Sequence, residues 1–232
     1  MKLIEKREMR DRYQVFIDRR DAGRYLAREL TTYKEADSIL LAIPSGGVPV
    51  AFEVSKALRI PMEVIVVRKL QIPFNPEAGF GAMGPDGDVI LNEGLMAHLN
   101  LTEEEVETQA RKTMEVIRRR EQLFRKGRPL PPLNGKNVIL VDDGLASGYT
   151  MRAAASNVRK MLPEKVVIAV PTGAWRTVDL ILPEVDLLVC LNVRTGPSFA
   201  VADAYEHWYD LNDREVIALL SSNHSNNSES FP

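Results

Sequence analysis

The sequence predicts an α/β domain of three layers around a parallel sheet. Short runs rich in Val, Ile and Leu recur without strict alternation, as strands covered on both faces do. Longer amphipathic segments separate them, so strand and helix patterns alternate along the chain. The 232 residues, 45% hydrophobic and 27% charged, suit one large domain with an ample core.

The strand runs are 38–43, 63–67, 137–141, 166–170 and 186–192. Helical patterns fall at about 18–31, 48–59, 102–126, 148–161 and 173–182. The helix over 102–126 is the clearest. Thr102 and Glu105 form a capping box, and Val106, Ala110, Met114, Ile117 and Phe124 make one apolar stripe. Acidic residues crowd its start, and Arg118, Arg119, Arg120, Arg125 and Lys126 its end, which complements the helix dipole. That basic cluster reads as a solvated helix end and receives no function. Segments 80–83 and 88–91 flank the turn Gly84-Pro85-Asp86-Gly87 and predict a β-hairpin. The stretch 71–79, with Pro73, Pro76 and Gly79 and no evident period, predicts a mobile loop. The polar end of the chain, 221–232, predicts a disordered tail after a domain spanning 1–220.

Composition excludes some classes. A net charge of −2, from 30 basic and 32 acidic residues, argues against a dedicated nucleic-acid binder. The single cysteine, Cys190, lies in an apolar run and reads as a buried thiol; it cannot form an internal disulfide. The start, MKLIEKREMRDR, has no apolar core of a signal peptide, and no apolar stretch approaches a membrane span. The expectation is a cytoplasmic protein with no membrane partner.

The segment VILVDDGLASGYT carries the chemistry. An apolar strand ends in the adjacent carboxylates Asp142 and Asp143, and a small-residue loop then opens a helix. Free N–H groups of such a loop can surround a phosphate, Gly148 permits close backbone approach, and the Ser147 and Thr150 hydroxyls add donors. Carboxylates at the end of a strand suit the vicinal hydroxyls of a ribose, or a metal. Paired aspartates also end a strand in response-regulator receivers, but there they follow the first strand, whereas here two strands and a long helix come before.

This segment closely resembles the motif that binds phosphoribosyl pyrophosphate (PRPP) in type I phosphoribosyltransferases, with Ser147 where threonine is usual. The family also places a pyrophosphate loop after its first core strand, where Ser45, Gly46 and Gly47 stand. It carries a basic pair and a closing loop after the next strand, where Arg68 and Lys69 stand before 71–82. The stretches RKL-x-x-P-x-NPE-x-x-x-GAM, Leu91-Asn92-Glu93 and Phe199-Ala200-Val201, followed by Tyr205 and Trp208, are similar to one subgroup, the uncharacterised predicted phosphoribosyltransferases.

The resemblance implies a type I fold with a small hood, formed by the N-terminal segment and about 171–209, and a flexible loop and hairpin insertion. It implies an enzyme that binds PRPP with Mg²⁺ and transfers the phosphoribosyl group to a nitrogen acceptor, releasing pyrophosphate. Asp142, Asp143, Ala146, Ser147, Gly148, Tyr149 and Thr150 would bind PRPP. Ser45, Gly46, Gly47, Arg68 and Lys69 would hold pyrophosphate, with Lys69, Arg68 and Asp143 closest to the chemistry. No direct protein ligand to the metal is expected, beyond Asp142 or Asp143 through water. Glu77 is a candidate for metal or acceptor contact, and Phe199, Tyr205, Trp208 and Trp175 for stacking on a ring. Ala146 stands where 6-oxopurine enzymes carry aspartate, which disfavours hypoxanthine or guanine. The alternative reading is a non-catalytic regulator that senses PRPP or a nucleotide. The partners implied are PRPP and a small-molecule acceptor, with room for a homodimer.

Overall fold

Successive residues of a strand point to opposite faces, so an unbroken apolar run needs cover on both sides. The computed structural model provides that cover; it describes residues 2–228, without the side chains at 76, 77 and 224–228. Its main sheet has six parallel strands in the order β1 (Leu3–Ile4), β9 (Leu187–Arg194), β8 (Lys165–Ala174), β7 (Asn137–Val141), β2 (Ser38–Ala42) and β3 (Met62–Val64). Leu40 and Ala42 of β2 enter a core shared with α1 (Arg19–Glu29) and α2 (Gly47–Leu58). Ile39 and Leu41 enter a second core, shared with α5 (Tyr149–Arg159) and α6 (Trp175–Ile181). Leu40 and Leu41 are fully buried, so truncating either to alanine would cost about 2–5 kcal/mol.

Strand order creates the opening the site uses. From β2 the chain moves outward to β3, then returns to place β7 on the other side of β2 and continues to β8 and β9. The order therefore reverses between β2 and β7, and ligands of open α/β sheets bind at the carboxyl ends of strands at such a point. Pairing runs from Ser38 opposite Asn137 to Ala42 opposite Val141, so the two strands end level.

Three expectations need revision. The stretch 71–79 is no irregular loop: β4 (Arg68–Ile72) pairs antiparallel with β5 (Asn75–Met83), and β6 (Val89–Leu91) completes a three-stranded sheet. Leu70 and Ile72 are buried while Lys69 and Gln71 are exposed, a period of two hidden by the prolines and by register shifts on both sides of Gln71. The helix expected from 173 starts at Trp175 instead, since Thr172, Gly173 and Ala174 are still strand and pair with Asn192, Val193 and Arg194. Lastly, α7 (Asp213–Ser228) carries the expected tail in helix as far as Ser228. Val216, Leu219 and Leu220 are buried, and the Ser55 hydroxyl donates to Asn223 Oδ1 at 3.0 Å. Composition alone could not show that anchoring. Between β6 and β7 lie α3 (Glu93–Leu99) and α4 (Glu103–Arg125), the latter with both halves of the foreseen capping box. No helix among the described residues is long and apolar enough to cross a membrane.

Candidate active site

Two loops leave the level ends of β7 and β2 and meet in the crevice between them. The first begins with Asp142, whose Oδ1 accepts the Asp143 backbone N–H at 2.8 Å. It ends at Gly148, which caps α5 with φ 82°, a left-handed conformation that glycine adopts without penalty. Ala146 and Ser147 are exposed on its rim. Among the described residues the Ser147 and Thr150 hydroxyls make no protein hydrogen bond, which leaves them available to a ligand at the start of α5.

The second loop runs from Ile43 through a cis Pro44–Ser45 peptide into α2. Ile43 donates to the Val141 carbonyl at 2.9 Å, which fastens this loop to the end of β7. A Cβ at Gly46 would lie 1.9 Å from Asp143 Oδ2, and one at Gly47 2.4 Å from the Val141 carbonyl oxygen. Both positions need glycine because the two loops touch.

Arg68 and Lys69 open β4 where the chain arrives from β3. A cavity of about 640 Å³ brings these parts together: Pro44, Arg68, Lys69, Asp142, Thr150 and Asp210 lie on its wall. Arg68 is partly buried and has no ion-pair partner among the described residues. Burial, then the charges of Arg120 and Arg119, hold its guanidinium below the usual arginine range, with Asp213 opposing them.

Asp143 is held from the other side by Arg19. Its Oδ2 accepts from Arg19 Nε at 2.8 Å, and Arg19 Nη1 donates to the Tyr209 carbonyl at 2.8 Å. The guanidinium carbon of Arg19 lies 3.8 Å from the centre of the Trp208 ring, a stacked contact worth about 2 kcal/mol when desolvated. Tyr205, 3% exposed, donates its hydroxyl to the Asp143 carbonyl at 2.6 Å. The segment carrying Tyr205, Trp208 and Tyr209 is thus tied to the carboxylate pair. Its next residue, Asp210, enters the larger cavity, while His207 and Tyr209 line a separate one of about 300 Å³.

Burial pushes both carboxyls above the usual aspartate range. Asp142 is raised further, because the Asp143 charge also opposes its ionisation. At Asp143 the Arg19 guanidinium offsets part of the burial. Asp143 is thus the partner that pairs with Arg19, and Asp142 the one on the cavity wall.

The structure brings together Asp142, Thr150, Arg68 and Lys69, and sets Gly46 against Asp143. Ser45 stands beside them but accepts a hydrogen bond from Arg120 at 2.9 Å. Tyr149 packs near Arg152 rather than in the cavity wall. Trp175 lies with Arg10 over its ring, at 5.6 Å, away from the carboxylates. Phe199 is half-buried, and the side chain of Glu77 lies outside the described residues. Sequence reasoning missed Arg19, Arg120 and Asp210. Arg19 did leave a signal: it falls in helical phase with Ala22, Gly23, Leu26 and Ala27, the buried face of α1. A charge on that face calls for a buried partner.

An open parallel sheet with two loop-to-helix cradles meeting at its switch point, and an antiparallel hairpin sheet beside them, is the type I phosphoribosyltransferase fold. The chain belongs to the phosphoribosyl transferase domain family, whose model matches residues 17–177. It is 40% identical over 216 residues to the "Putative phosphoribosyl transferase Rv0571c" of Mycobacterium tuberculosis, and equally to its counterpart in a second strain. These matches cover 93% of this chain and 48% of each relative, so the chain spans about half the length of the curated relatives it matches. Among solved structures it is similar to TT1426 from Thermus thermophilus, at 34% identity and a TM-score of 0.73, over 89% of this chain and 98% of that one.

Proposed function

We propose that the chain binds Mg²⁺–PRPP in the crevice between β2 and β7 and transfers its phosphoribosyl group to a nitrogen acceptor, releasing pyrophosphate. The observation that carries this reading is the single cavity walled by Asp142, Thr150, Pro44, Arg68 and Lys69. PRPP presents ribose hydroxyls, a 5′-phosphate and a pyrophosphate, and the wall offers a carboxylate, a helix N-terminus and two cations.

In this reading Asp142 accepts hydrogen bonds from the ribose hydroxyls, and Asp143, fixed by Arg19, keeps Asp142 turned to the cavity. Residues 146–150 surround the 5′-phosphate with backbone N–H groups and the Ser147 and Thr150 hydroxyls. Ser45, Gly46 and Gly47 face the pyrophosphate together with Arg68 and Lys69. The C1–O bond of the donor breaks with its electrons passing to pyrophosphate, the acceptor nitrogen bonds to C1, and its proton leaves to water or to pyrophosphate. The transition state resembles an oxocarbenium ion. Arg68 and Lys69 therefore act where negative charge grows on the leaving group. Mg²⁺ carried with PRPP would supply further charge neutralisation there. Asp142 or Asp143 would reach such a hydrated cation through water.

The acceptor enters from the hood side, where Tyr205, Trp208 and Asp210 stand, and Ala146 favours an acceptor other than a 6-oxopurine. A cytoplasmic setting belongs to the same proposal. The test is pyrophosphate release from Mg²⁺–PRPP across a panel of bases and amines. Release with one acceptor class supports the transferase. Tight PRPP binding with no release on any acceptor would replace it with a PRPP sensor.

A further inference from the structure

Arg120 stands on the buried stripe of α4, 8% exposed, and its Nη2 has two acceptors. It donates to Ser45 Oγ at 2.9 Å and to Asp213 Oδ1 at 2.7 Å, at the start of α7. One nitrogen thus joins the Ser-Gly-Gly loop to a helix far along the chain. Arg68 and Arg119 lie close enough for their charges to be felt, with Asp213 the one acid opposing them. Behind the loop three arginines thus gather around the carboxylate of Asp213, and Arg68, without an ion pair among the described residues, lines the cavity together with Asp142 and Asp210. Cations gathered behind a loop raise the local potential that an anion in front of it meets.

We propose that Arg120 is a positioning residue of the pyrophosphate side: it fixes the Ser45 hydroxyl, and with it the Ser45–Gly47 backbone, and adds its charge behind that loop. The proposal rests on the donor-site reading above and assigns α4 a part in it. Because Asp213 draws on the same nitrogen, weakening that pull leaves Arg120 more fully on Ser45. Arg120→Ala should then weaken the pyrophosphate half of the site alone, while Asp213→Asn should not weaken it.

Calorimetry tests this with two separate probes, Mg²⁺–pyrophosphate and ribose 5-phosphate. In Arg120→Ala, pyrophosphate affinity should fall about tenfold, the size of one charge-assisted hydrogen bond. Ribose 5-phosphate affinity should stay within about twofold, as the 146–150 cradle is untouched. Arg120→Lys should recover part of the loss by keeping the charge, and Asp213→Asn should bind pyrophosphate at least as well as the wild type. Unchanged pyrophosphate affinity in Arg120→Ala would overturn the proposal. So would an equal loss in Arg120→Ala and Asp213→Asn, which would make Arg120 a mere tie between α4 and α7. If the wild type binds neither probe, the donor-site reading falls, and the positioning role with it. Failure of the inference alone shows instead as a wild type that binds both probes and an Arg120→Ala variant that matches it.

Discussion

Gly46→Ala places one methyl group against the carboxylate pair. The new Cβ would sit 1.9 Å from Asp143 Oδ2 and 2.4 Å from its Cγ, where ordinary contact begins at 3.4 Å, so something must give by about 1.5 Å. Turning the short Asp143 side chain away cannot relieve both contacts without pulling Oδ2 off Arg19 Nε, now at 2.8 Å. A charge-assisted hydrogen bond lost from a buried pair costs about 1.5–3 kcal/mol. For a chain of this length that lowers Tm by about 3–12 °C. If the loop retreats instead, the walls of the crevice part by the same distance. Either way Mg²⁺–PRPP affinity should fall about 10- to 100-fold, measured by calorimetry beside a thermal melt. An alanine variant that melts like the wild type and binds PRPP within threefold would refute the close approach and the role given to this crevice.

Other outcomes follow from the same geometry. Asp142→Asn removes a carboxyl whose ionisation burial and Asp143 oppose, so the variant should melt no lower than the wild type at pH 7 yet bind PRPP far more weakly; a variant less stable than the wild type would contradict the penalty on ionising Asp142. The sign on pH is fixed as well. With its pKa raised in the fold, Asp142 binds more protons folded than unfolded, so its contribution to stability declines as pH rises from the unfolded value of about 4 to the raised one. Ligand hydroxyls and cations favour the ionised form, so PRPP binding should release protons and tighten with pH over that window, checked by calorimetry in buffers of differing ionisation enthalpy; proton uptake would be the wrong sign. Arg19→Met leaves the Asp143 carboxylate buried without its partner, and should cost about 3 kcal/mol by chemical denaturation. Lys69→Ala should reduce turnover more than PRPP affinity if the cation acts chiefly on the departing pyrophosphate; an effect on affinity alone would move Lys69 to ground-state binding.

Much of this architecture is legible along the chain because its signals are local. Continuous apolar runs mark strands buried on both faces, and the Thr102–Glu105 box marks the start of α4 within a residue. The acidic loop and the Ser-Gly-Gly loop are equally local, since each follows its strand directly. What stays hidden depends on contacts between distant segments. Arg19 and Asp143 stand 124 residues apart, and Arg120 and Asp213 stand 93. Nothing within a window of sequence pairs them, although Arg120 shares the buried stripe of Thr113, Ile117 and Phe124. Three arginines in a row at 118–120 look like a solvated helix end, and helical phase buries only the last. The pairing of β4 with β5 escaped for another reason. Prolines and register shifts interrupt the alternation that would have announced it. Helix α7 escaped because Ser and Asn dominate its end, while packing against α2 and α4 helps to hold it.

The central claim is that the crevice between β2 and β7 is a PRPP site, and calorimetric titration of the chain with Mg²⁺–PRPP tests it most directly. A PRPP site there predicts saturable binding at one site, competed by ribose 5-phosphate and by Mg²⁺–pyrophosphate separately, and much weakened in Asp142→Asn. No binding of PRPP, or binding that Asp142→Asn leaves unchanged, would contradict it.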